Sequence, residues 1–199
     1  MVMTTTEPPR AVVFLGQMEN EGMRTNLRAV LTDKLRAKGW ELDIIDLAEA
    51  RLTNCVGCFE CWVKTPGQCR FGDFGRELAG RVINSDLFVI VSRIRFGSYS
   101  SDVQRSLERM IPLLNPLFEK VDGETHHAHR YSRYPSLAAL GVLDGADGKS
   151  EEIFRKRVER NSINLFSPSY SVAIVGSEGT QGQVEKAIGD LIAGIEVGT

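Results

Sequence analysis

Leu87-Phe-Val-Ile-Val91 is the most apolar run in the chain, and the loop that leaves it reads Ser92-Arg-Ile-Arg-Phe-Gly-Ser-Tyr-Ser100. Five consecutive apolar residues are too few for a helix and show no alternation, so they read as a strand covered on both faces. Working outward, comparable runs recur at Ala11–Leu15, Trp40–Ile45, Ser136–Leu143 and Ser171–Val175. Between the first two, Leu27, Val30, Leu31 and Leu35 repeat at helical spacing, which predicts a helix from about Thr25 to Lys38 stopped by Gly39. Similar patterns predict helices over 74–83, 101–114, 151–161 and 183–195. Strands alternating with amphipathic helices imply a parallel sheet with helices on both faces. Parallel neighbours joined by right-handed crossovers narrow the topology to a doubly wound, three-layer α/β/α fold. Five strands favour the order 2-1-3-4-5, in which the loops after the first and third strands, 16–26 and 92–100, flank the switch point where ligands bind.

The remaining composition bounds the possibilities. A chain of 199 residues suits one domain spanning 1–199, and nothing in it reads as a repeat or linker. Apolar residues at 42% and charged residues at 25% are ordinary for a globular protein. A formal charge of −2 offers no bulk attraction to nucleic acid or to an anionic membrane. No apolar run approaches the ~20 residues of a membrane helix. Residues 1–10 lack the apolar segment of a secretory signal and read as a flexible tail, which places the chain in the cytoplasm.

Both switch-point loops carry binding chemistry. In Gly16-Gln17-Met-Glu-Asn-Glu-Gly-Met-Arg24-Thr25-Asn26 a strand gives way to a helix start, whose unpaired N–H groups and dipole suit a phosphate. Arg24, Thr25 and Asn26 can add donors, while Glu19 and Glu21 repel an anion they face; the plain alternative is a capped turn. The second loop gathers Arg93, Arg95, Phe96, Gly97 and Tyr99 within nine residues. Gly97 allows close approach of backbone to a flat ligand, an aromatic can pack on its ring, and the arginines can meet an electron-rich edge or phosphates. The alternative is an exposed loop whose aromatics dock on the core.

All four cysteines lie in Cys55-Val-Gly-Cys58-Phe-Glu-Cys61-Trp-Val-Lys-Thr-Pro-Gly-Gln-Cys69, inside a loop expected over 55–73. Clustered thiols in a reducing compartment point to metal or redox chemistry rather than to structural disulfides. Three thiolates at two-residue intervals can wrap one face of an iron–sulfur cubane, and a fourth after a Pro-Gly turn can close it. Zinc competes, as do a reversible disulfide and inert thiols. A basic excursion over 115–135 holds His126, His127 and His129 with Arg130, Tyr131, Arg133 and Tyr134. Metal binding and proton donation are open to it, and so is a role as lid or oligomer contact. No Ser-His-Asp, HExxH or Walker spacing supports a hydrolase or a nucleotide kinase.

With these segments together, the chain resembles the flavodoxin-like NAD(P)H-dependent FMN reductases, and among them the iron–sulfur flavoproteins. The resemblance rests on Cys55-x-Gly-Cys58-Phe-x-Cys61-Trp with Pro66-Gly-x-Cys69, on Phe96-Gly-Ser-Tyr-Ser100 with Glu108-Arg109, and on His126-His127-x-x-Arg130-Tyr131-x-x-Tyr134-Pro135. It implies FMN, its phosphate near Gly16, Arg24, Thr25 and Asn26 and its ring beside Ile94, Arg95, Phe96, Gly97 and Ser98, with Asp144 and Gly145 on a third loop; Gln17 and Arg93 complete the expected cofactor contacts. It implies a four-iron cluster on Cys55, Cys58, Cys61 and Cys69, and a homodimer or homotetramer. Two departures stand out: Glu19 and Glu21 enter a first loop where relatives carry Ser and Arg, and Arg93 and Arg95 replace Pro and Tyr. The expected function is an FMN-dependent oxidoreductase or electron carrier, fed by NAD(P)H or a carrier and serving a small-molecule or protein acceptor, with no side chain needed as catalytic acid or base. The alternative is a binding or structural subunit that has lost flavin, its cysteines holding zinc or acting as a thiol switch.

Overall fold

The computed structural model describes residues 7–121 and 123–195. Most of the expected tail, residues 1–6, lies outside the described residues, and Arg10 already opens the first strand. In chain order the elements are β1 (Arg10–Leu15), α1 (Glu21–Ala37), β2 (Glu41–Asp46), α2 (Glu60–Val63), α3 (Phe74–Ile83) and β3 (Leu87–Arg95). Then come β4 (Ser98–Tyr99), α4 (Ser101–Glu108), a 3-10 turn (Ile111–Leu113), β5 (Phe118–Val121), β6 (Glu124–His127), β7 (Ser136–Leu143), α5 (Gly148–Asn164), β8 (Tyr170–Gly176) and α6 (Gln181–Ala193).

The main sheet runs β2-β1-β3-β7-β8, every pair along it parallel. That is the flavodoxin-like 2-1-3-4-5 order the apolar runs predict. Alternation explains the two cores. Ala11, Val13 and Leu15 with Leu87, Val89 and Val91 face α1 and α6, packing on Leu27, Leu31, Val184 and Ile188. Val12, Phe14, Phe88 and Ile90 face the other way, onto Leu78, Val82, Val103 and Phe154 of α3, α4 and α5. At ~25 cal/mol per Å² of apolar surface removed from water, these two layers dominate the favourable side of folding. Because α1 follows β1 onto one face and α4 follows β3 onto the other, the neighbouring ends of β1 and β3 open a crevice between them.

Several boundaries differ from the sequence reading, α4 ending at Glu108 rather than near Leu114 among them, and three of the differences bear on the site. α1 starts at Glu21, four residues early, because Asn20 caps it by accepting from Met23 N–H at 2.9 Å. Arg24, Thr25 and Asn26 therefore lie inside the helix. The loop after the central strand is a hairpin: β3 continues to Arg95 and β4 folds back with Ile94 opposite Tyr99 and Arg95 opposite Ser98. Its two turn residues, Phe96 and Gly97, sit at φ 52° and 73°, the left-handed pair such a hairpin requires. A Cβ on Gly97 would also meet Ile153 Cβ at 2.5 Å. The excursion over 115–135 is built around a second hairpin, β5–β6. Tyr134 Oη pins its return by accepting from the N–H groups of Arg130 and Tyr131 at 2.8 and 3.1 Å.

Candidate functional site

At the switch point lies an open crevice of about 620 Å³. Gln17, Met18 and Glu19 form one wall; Arg93, Arg95, Phe96 and Tyr99 with the first turn of α4, Ser100 to Asp102, form the other. The volume is that of a small-molecule site. Gly16 makes the narrow end possible, since a Cβ there would lie 2.8 Å from Val103 Cγ2 and 2.9 Å from Val91 O. Ser92 ties the hairpin base by accepting from Ser100 N–H at 2.9 Å. Phe96 stands 94% exposed at the rim, a strained aromatic with no packing to justify it. Tyr99 is buried, accepts from Asn161 Nδ2 at 3.0 Å and packs on Phe154; burial pushes its hydroxyl up to about 12, so it stays a phenol at neutral pH.

Electrostatics divide the crevice. Arg93 donates to Glu19 Oε1 at 2.5 Å and to Asp144 Oδ2 at 2.6 Å, strapping together the loops after β1, β3 and β7. Arg93's hydrogen bond holds the Asp144 carboxyl below the usual range, against its partial burial. Arg93 Nε is buried with no hydrogen-bond partner among the described residues. An orphaned charged donor costs free energy unless something accepts from it. At the other end, the Gln17 N–H that opens the first loop is taken by Asp102 Oδ2 at 2.6 Å, and Asp102 is buried. A carboxylate thus already occupies an amide in the loop where the sequence reading expects a phosphate.

The proposed site residues fall into two groups. Gln17, Arg93, Arg95 and Phe96 line the crevice; Gly16, Ile94, Gly97 and Ser98 belong to the loop and hairpin beside it, Asp144 lines a smaller neighbouring cavity with Met18, Glu19 and Arg93, and Gly145 does not line the crevice. Arg24 instead turns toward β2: it pairs with Asp46 and Glu21 and donates Nε–H to Gly16 O at 3.3 Å. Thr25 is exposed in the second turn of α1, and neither it nor Asn26 lines the crevice. Asp102, whose acidic side chain was legible beside Ser101 at a helix start, escaped the sequence reading.

All four cysteines line a second cavity, walled by Val56, Phe59, Phe71, Ile111 and Pro112 and closed by Glu108 and Arg109. They are free thiols; Cys61 is buried and Cys55 and Cys58 are exposed. The loop is built for this. Phe59 takes φ 53° to start the short α2, Gly67 N–H donates to Cys61 O at 3.1 Å, and Thr65 Oγ1 donates to Gln68 O, turning Cys69 back toward the others. Trp62 Nε1 donates to Ile111 O at 3.2 Å and anchors the loop to the turn after α4. Burial, and then the proximity of Cys69, Cys55 and Cys58, pushes the Cys61 thiol up. Asp102 in the first turn of α4 borders the crevice and Arg109 just past its end borders the thiols, roughly 10 Å of helix apart.

The three histidines do not converge. His126 is buried between Glu124 Oε2 (3.0 Å) and Asn164 Oδ1 (3.2 Å). His127 stacks on Phe118 and reaches Asn115 O, and His129 meets Glu119 and packs on Phe166. His126 and His129 fasten the excursion to α5 and the turn after it through Asn164 and Phe166, and His127 packs on Trp62 of the cysteine loop. The sequence signal for that role is weak, since buried and exposed histidines look alike.

A doubly wound sheet with a roomy crevice at its switch point defines a protein of the flavodoxin-like class. The chain belongs to the NADPH-dependent FMN reductase family, whose sequence model matches residues 9–129. It is 29% identical over 104 residues to an iron–sulfur flavoprotein of Methanocaldococcus jannaschii, a match covering 52% of this chain and about half, 53%, of that protein. It is 24% identical over 181 residues to an iron–sulfur flavoprotein of Archaeoglobus fulgidus, covering 91% of this chain and 72% of the other. The structure of an FMN-dependent NADH-azoreductase from Bacillus anthracis in complex with FMN shares the fold, with a TM-score of 0.64, 9% identity and coverage of 91% and 93%. Among the described residues no helix is long and apolar enough to cross a membrane.

Proposed function

We propose that this chain is an FMN-dependent oxidoreductase that draws electrons from NAD(P)H, or from a carrier, and delivers them to a small-molecule or protein acceptor, with a four-iron cluster on Cys55, Cys58, Cys61 and Cys69 as relay. The observation that carries the flavin reading is the switch-point crevice with the buried Arg93 Nε directed at no protein acceptor. Bound FMN supplies a ring that accepts hydride and passes on single electrons. This chain's residues bind and orient it. Arg93 and Arg95 offer donors to the polar edge of the ring, Phe96 offers an aromatic face, and Gly97 lets the hairpin lie close. The phosphate end falls to the loop after Gly16 and the start of α4, against the charge of Asp102 and Glu19.

Soft thiolate donors in an apolar cavity support the cluster. Among the described residues no three His, Cys, Asp or Glu side chains are grouped as a metal ion requires, so the support for the cluster is that all four thiols line one cavity. Clustered free cysteines agree with a reducing cytoplasm. Exposed Val56, Phe59, Val63, Leu117 and Phe118 agree with a homodimer or homotetramer. One observation favours the second reading, a subunit without flavin: Asp102 already occupies the Gln17 amide.

Anaerobic titration of the FMN-loaded chain with NADPH and NADH separates the readings. Loss of the flavin absorbance with either donor is expected. A loaded chain that stays oxidised with both, and with a reduced iron–sulfur carrier protein, contradicts the proposal.

A further inference from the structure

Arg109 is the largest of the fully buried side chains, with 1% of its side chain exposed. Its sequence position at the end of the amphipathic α4 gives no reason for a charge to be inside. Both terminal nitrogens of the guanidinium are held. Nη1 donates to Thr53 O at 3.0 Å, to Thr53 Oγ1 at 2.7 Å and to Asp73 Oδ2 at 3.0 Å, and Nη2 pairs with Asp73 Oδ1. Nη2 also donates to Cys69 Sγ at 3.4 Å. Two neighbours are adapted to this arrangement. Gly75 leaves the space, since a Cβ there would lie 2.7 Å from three guanidinium atoms. Asp73 sits at the N-cap of α3 but makes no side-chain cap, its carboxylate being turned to Arg109 and Thr53 instead. An N-cap side-chain bond stabilises a helix, so the sequence forgoes helix stability for this contact.

We propose that Arg109 is the positioning residue of the thiol site: it fixes Cys69, the one cysteine arriving from outside the Cys55–Cys61 turn, and through its hydrogen bond and charge raises the reduction potential of the cluster. The inference rests on the four-iron reading above. A reduced cluster carries one more electron than an oxidised one, so a donor on a ligand sulfur and a nearby positive charge stabilise the reduced form. Asp73 opposes that charge and sets how much of it the thiols feel. Removing the cation and removing its counter-ion must therefore shift the potential in opposite directions. A residue that only props up the loop has no reason to do so.

The test uses the full chain reconstituted anaerobically with iron and sulfide, its potential followed by electron paramagnetic resonance. Arg109→Gln is expected to lower the reduced-to-oxidised ratio at fixed potential at least tenfold, a downward shift of about 59 mV for one electron. Asp73→Asn is expected to shift it upward. Potentials equal to wild type in both variants, or shifts of the same sign, overturn the proposal. If Arg109→Gln fails to fold or to hold iron, Asp73→Asn decides alone: an upward shift supports the proposal, and no shift or a downward one overturns it. Wild-type protein without iron and acid-labile sulfide after reconstitution sinks the cluster reading itself, and this inference with it.

Discussion

Asp102→Asn should tighten FMN binding while leaving riboflavin binding unchanged. The reason lies in the narrow end of the crevice, where the Asp102 carboxylate sits 2.6 Å from the Gln17 N–H. A phosphate on the same loop would stand on the order of 5 Å from that carboxylate. Each unit of phosphate charge then meets repulsion of about 0.8 kcal/mol at the dielectric of water and about 3 kcal/mol at the effective value near a protein surface. Asparagine keeps an oxygen for the Gln17 amide and removes the charge. The expected gain is roughly four- to 150-fold in Kd at low ionic strength, shrinking as salt screens the interaction. Titration of apoprotein by quenching of flavin fluorescence, run in parallel with FMN and riboflavin, reads it directly. An unchanged ratio of the two dissociation constants refutes the placement of the phosphate on this loop. An equal gain for both flavins would mean that the carboxylate acts on the ring or on loop rigidity instead.

The other expectations are simpler. Gly75→Ala forces a methyl against the buried Arg109 guanidinium and should cost about 1–3 kcal/mol in urea unfolding despite the better helix propensity of alanine; an unchanged midpoint would show that Arg109 is free to move. Cys58→Ala should abolish iron retention and leave FMN content at the wild-type level, because thiols and crevice occupy opposite ends of α4; loss of both with the fold intact contradicts independent sites. Burial opposes ionisation of Asp73, but hydrogen bonds from Thr53 and Arg109 prevail and hold its carboxyl below the usual range. A depressed carboxyl contributes stability that is present above its unfolded value of about 3.9 and lost as pH falls through the folded one. Stability should therefore drop below about pH 4 in the wild type and fall less steeply in Asp73→Asn, as unfolding midpoints against pH will show.

Much of this was legible in the sequence. Leu87–Val91 could be nothing but a covered strand, and alternation with Leu27, Leu31 and Leu35 carried the sheet order with it. The four cysteines announced a shared site by spacing alone. What escaped notice depends on contacts across the fold. Asn20 and Glu21 carry the marks of a helix start, but Gly22 and the surrounding charges hide them, so the sequence places Arg24, Thr25 and Asn26 at the N-terminus of a helix that in fact begins at Glu21. The β5–β6 hairpin has too few apolar residues for a period-two signal. Nothing local says that Arg93 will bridge Glu19 and Asp144, or that Arg109 will be buried, because both depend on partners dozens of residues away.

The most direct test of the account is the flavin content of the chain purified without oxygen. It predicts a yellow-brown protein that releases FMN on acid treatment, one per chain, and that takes up FMN to the same stoichiometry after stripping. A colourless chain that neither carries nor takes up FMN would contradict it, and Asp102 on the Gln17 amide would then be the reason.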